Sequence, residues 1–125
     1  MTTPTQRTLE LLRSRNWTYG KVETFNRFAG AHGQRKDLFG FADFIALDNL
    51  SIIAIQSCGQ AFSEHNKMIL CSSCTENVIK WLRCGGRVIL IGWRKVKVKR
   101  GGKAMVWKPR EYEYTLKDFG VEMDD

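Results

Sequence analysis

The chain has 125 residues, 20 Lys plus Arg against 13 Asp plus Glu, and a formal net charge of +7. Its length predicts a single domain, large enough to bury roughly two-thirds of its unfolded surface with no disulfide or metal. A hydrophobic content of 43% with 26% charged residues excludes a wholly disordered chain. No apolar run reaches the ~18 residues of a membrane span.

The N-terminal MTTPTQRTLE has no apolar core of a secretory signal, so a cytoplasmic protein without a membrane partner is expected. The charge is uneven: from Lys80 to Arg110 there are eleven basic residues and no acidic one. A block of this kind raises local anion concentration and points to a polyanion, most often nucleic acid, with a solvated strand face as the plainer alternative.

In chain order, Thr3 with Pro4 and Gln6 forms a capping box, and Leu9, Leu11 and Leu12 supply an apolar stripe. These predict a helix that stops near Asn16. Residues 17–25 (WTYGKVETF) alternate as a strand. Residues 26–36 (NRFAGAHGQRK) read as a loop carrying Arg27, His32, Arg35 and Lys36. Two near-continuous apolar runs, 38–47 and 50–58, flank the turn signal Asp48-Asn49 and predict a buried hairpin.

A short helix is expected over 62–70. A second starts with the capping box at Ser73–Glu76 and ends at Gly85. A long strand over 87–99, a Gly101-Gly102 turn and an edge strand over 104–116 containing Pro109 complete the domain. The domain spans 1–125, folded over about 1–118, with an acidic tail at 119–125. The class is α/β.

Four cysteines include one CxxC, Cys71 to Cys74, with Cys58 and Cys84 as single residues. A zinc clip with His65 as a spare ligand is one option. Buried thiols are the simpler one, so zinc is the disfavoured cofactor.

Asp43 stands inside an apolar strand, where a lone carboxylate is costly. Gln56 and Cys58 share a face of the next strand. Convergence of Asp43 and Gln56 across the hairpin would suit a hard divalent cation. A partly buried Asp43 paired with Arg35, Lys36 or a backbone amide is the alternative.

The strings Gly40-Phe41-Ala42-Asp43-Phe44-Ile45-Ala46-Leu47 and Ile53-Ala54-Ile55-Gln56-Ser57-Cys58 resemble the core of PD-(D/E)xK nucleases. They are similar in particular to archaeal-type Holliday junction resolvases and related small phage and bacterial proteins. Residues 35–41, Trp81-Leu82, Gly85-Gly86-Arg87 and Gly92-Trp93 extend the resemblance to about residues 5–100.

The resemblance implies a restriction-endonuclease-like core of helix, three strands, helix and strand, in a mixed central sheet with an added C-terminal strand. It implies a Mg- or Mn-dependent DNA endonuclease acting on duplex or branched DNA in a prokaryotic or phage-infected cell, as a homodimer in some members. Asp43 matches the metal-binding Asp, Gln56 the second carboxylate in its Gln variant, and Cys58 the position of the motif Lys. Glu10 or Glu23 would complete the acidic site. Apart from the resemblance, Asp37, six residues before Asp43, is a candidate to share the cleft or to pair with Arg35 or Lys36, and His32 in its Gly-flanked loop is a candidate general base or an exposed loop residue. Lys36 or Lys67 would stand in for the missing Lys.

The basic strand then has a role as a phosphate track, through Arg94, Lys95, Lys97, Lys99, Arg100 and Lys103, joined by Arg35 and Lys36. Trp93 and Trp107 are candidates for base stacking or for the core. Two other readings stay open: a nuclease-fold protein that binds DNA without cutting it, because Cys58 replaces the Lys, and a small zinc-binding interaction protein.

Overall fold

The computed structural model describes residues 2–28, 30, 31 and 33–121. His32 and the last four residues of the acidic tail lie outside the described residues. The elements are α1 (Pro4–Ser14), β1 (Thr18–Lys21), β2 (Thr24–Asn26), β3 (Gln34–Lys36), β4 (Phe44–Leu47), β5 (Ile52–Cys58), α2 (Phe62–Leu70), α3 (Thr75–Arg83), β6 (Arg87–Lys97), β7 (Met105–Tyr114) and a terminal 3-10 turn (Leu116–Phe119). No described helix is long and apolar enough to cross a membrane.

The main sheet is mixed, in the order β1-β4-β5-β6-β7. β5 and β6 are parallel, joined by the crossover through α2 and α3, and the other pairs are antiparallel. β5 is covered on both faces, which is why it reads as an almost unbroken apolar run. On one face Ile53 and Ile55 join Phe44, Ala46, Ile89, Ile91 and Trp93 beneath Leu12 of α1. On the other, Ala54 and Cys58 join Val88, Leu90 and Tyr114 beneath Ile69 of α2 and Val78 of α3. Helices therefore lie on both sides of one sheet.

The first helix is capped as its spacing predicts. The Thr3 hydroxyl accepts from the Gln6 N–H at 3.1 Å, and the Thr3 N–H donates to Gln6 Oε1 at 3.0 Å. α2 occupies the expected residues. α3 begins two residues later than its capping-box signal, with Cys74 as N-cap and no side-chain cap. The Thr75 hydroxyl donates instead to the Ile69 carbonyl at 2.9 Å, tying the start of α3 to the end of α2. β7 is an edge strand, which accommodates Pro109.

Two expected elements differ. The strand over 17–25 breaks after β1, because the Val22 N–H takes the Asp43 carbonyl at 2.9 Å and no further β4 residue is available. The chain then pairs 24–26 with 34–36 as a separate antiparallel hairpin, so the expected loop holds a strand. The run 38–47 is a strand only from Phe44. Ahead of it the chain folds back, with the Leu38 N–H on the Ala42 carbonyl and positive φ at Phe39 and Gly40. A Cβ at Gly40 would approach Cys74 Cβ to 3.1 Å, so the turn fits tightly against the start of α3. The folded unit also runs past residue 118: Phe119 packs on the core and the Val121 N–H caps the Leu116 carbonyl.

Leu12 is fully buried and anchors α1 over the sheet. Its truncation removes apolar contact and leaves a cavity that a rigid sheet cannot close. Leu12→Ala is expected to cost about 2–5 kcal/mol, read as a lower midpoint in chemical denaturation.

Candidate metal centre

The fold-back at 38–42 and the break after β1 have one joint consequence. Glu23 immediately precedes β2, Asp37 immediately follows β3, and Asp43 immediately precedes β4. These three positions meet at one end of the sheet. The side chains of Glu23, Asp37 and Asp43 each bring an oxygen within 4.8 Å of the others.

Asp43 is 8% exposed. The Ser57 N–H donates to its Oδ2 at 2.9 Å, so the backbone-amide pairing expected as the plainer alternative is present beside the acidic cluster. Burial is the main reason its carboxyl is pushed up to about 8; the hydrogen bond with Asp37 adds to this, and the Ser57 amide opposes it. Neighbouring negative charge from Asp37 and Glu23 acts in the same direction as burial, so the neutral form of Asp43 is favoured.

Gln56 lies across from Asp43 on β5, as the Phe44–Ile55 pairing of the next step requires. Its side chain is 3% exposed. Its Nε2 faces His65 Nδ1 of α2 at 3.3 Å, while its Oε1 is buried with no hydrogen-bond partner. A buried amide oxygen left unpaired costs about 1–3 kcal/mol. Three carboxylates and one amide carbonyl are hard oxygen donors, the set that Mg or Mn selects. A cation among the three carboxylates would offset their mutual repulsion and offer a partner to an amide oxygen that lacks one, so the residues fit such an ion.

Other expected site residues lie elsewhere. Glu10 is exposed on α1 in a shallow depression with Thr2, Gln6, Leu9 and Arg13, because its helix covers the opposite face of the sheet. Glu23, not Glu10, is the second acid of the group. Asp37, a further candidate from the sequence, is the third. Lys36 lines a cleft of about 520 Å³ beside Asp37, and Lys67 is exposed on α2. The Arg35 guanidinium reaches Glu23 at 4.0 Å. Cys58 is 4% exposed, and burial, with the charge of Asp43 second, pushes its thiol up to about 11. It is a neutral thiol at pH 7.

The acidic group contains no cysteine. The four cysteines are free, and Cys74 sits against Ser72 and the Met68 carbonyl as part of the α2–α3 connection.

The basic strand divides between the two faces. Trp93 is core, donating to Thr8 Oγ1 at 2.9 Å. Strand alternation puts Lys95 and Lys97 on that α1 face, where the Arg7 guanidinium stacks on Trp107 at 4.1 Å. Lys99, Arg100 and Lys103 are exposed in the β6–β7 turn. On the Asp43 face the register pairs Arg94 with Lys108 and Gly92 with Arg110, whose guanidinium stacks on Phe62 of α2 at 4.1 Å. Lys108 and Arg110 were absent from the expected phosphate track. Only the pairing of β7 against β6 brings them to this face.

The raised carboxyl of Asp43 sets a sign for stability. The folded protein holds a proton that the unfolded chain, with an Asp near 3.9, has released. The associated stability is complete below about pH 4 and is lost as the pH rises to about 8. Asp43→Asn carries no charge there and escapes this loss. In EDTA its melting temperature is expected to gain on the parent progressively from pH 5 to pH 8; parallel profiles would refute the buried proton.

Comparison of the chain with protein-family models, with curated proteins and with solved structures gives no match.

Proposed function

We propose that this protein is a restriction-endonuclease-like, divalent-cation-dependent nuclease that hydrolyses DNA phosphodiesters at the Glu23–Asp37–Asp43 cluster. The observation that carries the reading is the meeting of three carboxylates within 4.8 Å beside a buried amide oxygen, on Gln56, that has no partner. The resemblance of the Asp43 and Gln56 strings to PD-(D/E)xK nucleases supports the same chemistry.

Mg or Mn, held by Asp43, Glu23, Asp37 and Gln56, would polarise the phosphate and acidify a water. The chain's own groups do the rest. Asp43 is oriented by the Ser57 amide. Gln56 is held by His65 through its amide nitrogen, and its oxygen, which has no protein partner, is the atom it would offer a cation. A neutral amide donor lowers the total ligand charge, so cation affinity is weaker than with a second-strand carboxylate. Arg94, Lys108 and Arg110 lie on the same face and hold neighbouring phosphates without reading sequence. Arg35, beside Glu23, is a cation available to developing negative charge.

Cys58 favours a second reading. It stands where the resemblance calls for Lys, and a buried neutral thiol neither donates strongly nor carries charge. On that reading the protein binds DNA and cation but does not cut.

Nicking of supercoiled plasmid and of a four-way junction decides between the two. With Mg or Mn, cleavage is expected that EDTA abolishes and that Asp43→Ala lowers by about 100-fold or more. Salt-sensitive binding to both DNAs without cleavage selects the second reading. Absence of both binding and cleavage sinks the nucleic-acid assignment altogether.

A further inference from the structure

The β2–β3 hairpin is not needed to complete the main sheet, and it exposes what a soluble domain ordinarily buries. Phe25 is 59% and Phe28 82% exposed. Residues 24–36 carry Arg27, Arg35 and Lys36 and no acidic side chain. The Arg27 guanidinium lies 4.8 Å over the Phe28 ring, and Phe25 pairs across the strands with Arg35. Phe25 packs against the backbone at Gly33, where an added Cβ would meet its ring at 2.5 Å. Phe25 is thus backed by the hairpin, Phe28 is open to solvent, and each stands beside a cation.

The base of the hairpin is the candidate site itself. Glu23 leads into β2 and Asp37 leads out of β3, so the two strands rise directly from two of the three carboxylates. The cleft of about 520 Å³ at this base, between Asp37 and the start of α3 at Ser73, Cys74 and Asn77, falls in the ~300–1,000 Å³ range of small-ligand pockets.

We propose that this hairpin recognises unpaired nucleotides, with Phe25 and Phe28 stacking on bases while Arg27, Arg35 and Lys36 hold the flanking phosphates. The inference rests on the phosphodiester reading for the class of partner and adds the structure selected: single-stranded segments, including those at branches and ends. An aromatic ring needs a free base face, and every interior face of an intact duplex is already stacked. The purely basic character of the hairpin fits a polyanion and opposes an acid-poor apolar protein surface. Its rooting in the acidic cluster brings the bound strand to the place where a phosphate would react.

Fluorescence anisotropy tests this with the full chain in Ca²⁺, using a 20-nucleotide single strand and the blunt duplex of the same sequence. Phe25→Ala and Phe28→Ala are each expected to weaken single-strand binding by about 5- to 100-fold. Duplex binding should change by less than about twofold, because the basic face at Arg94, Lys108 and Arg110 remains. Phe28→Tyr keeps a stacking ring and should restore affinity. Leu50→Ala, at a 94% exposed apolar residue outside the hairpin, should change neither.

Unchanged single-strand binding in the phenylalanine variants, with the parent binding DNA normally, overturns this inference and leaves the phosphodiester reading standing. Equal losses on both DNAs overturn it too. If the parent binds neither DNA, both fall. Should Phe25→Ala fail to fold, Phe28→Ala alone decides, since the Phe28 residue is 82% exposed.

Discussion

A single backbone amide organises the acidic end of this molecule. The Ser57 N–H, near the end of β5, donates to the carboxyl of Asp43 on the neighbouring strand. The Ser57 hydroxyl lies 2.7 Å from Thr8 Oγ1, which accepts from the Trp93 indole of β6. One residue of the central strand therefore ties the site to α1 on one face and, through Thr8, to the strand beyond. These polar groups are enclosed by apolar residues, where a broken link leaves an unsatisfied partner and costs more than it would in water. The carboxyl is aimed by the interior of the protein, with little dependence on its exposed loops.

That rigidity contrasts with what surrounds it. The acids that join Asp43 come from the two ends of a separate hairpin, outside the five-stranded sheet. Like charges drawn into a partly buried place repel, which with burial favours a protonated Asp43, and beside it on β5 Gln56 Oε1 has no partner. Both features are costs to the folded state, and a cation would remove both. Local expense at a candidate site, set against well-satisfied polar groups elsewhere, is the pattern expected when a site is kept for its chemistry.

The charge of the chain is arranged around this centre in two sets. Arg94, Lys108 and Arg110 line the sheet face that holds Asp43. Lys95 and Lys97 lie on the other face, near Arg7 and Trp107. The surplus of +7 is therefore spread over both sides of a projecting β6–β7 arm, and only part of it looks toward the acids.

Much of this was legible in the sequence because it is local. Capping of α1 by Thr3 and Gln6, the bounds of α2, the turn at Asp48-Asn49, the buried run of β5 and the edge position of Pro109 each follow from a few neighbouring residues. The importance of Asp43 followed from its apolar surroundings, and its nearness to Gln56 from the expected hairpin. Other features rest on contacts distant in sequence. The strand over 17–25 ends early because β4 has no more residues to pair with it. The run 38–47 folds back at Phe39 and Gly40, where the close approach of Cys74 from the start of α3 leaves little room for a side chain at position 40. Glu23 displaces Glu10, and Asp37 joins, through chain reversals that no periodicity announces. Lys108 and Arg110 reach the site face through the register of β7. Sequence alone determined the three helices, the long central strands and which carboxylate is out of place. Tertiary structure decided which acids and cations meet it, because pairing register and strand length, rather than residue type, determine what stands side by side.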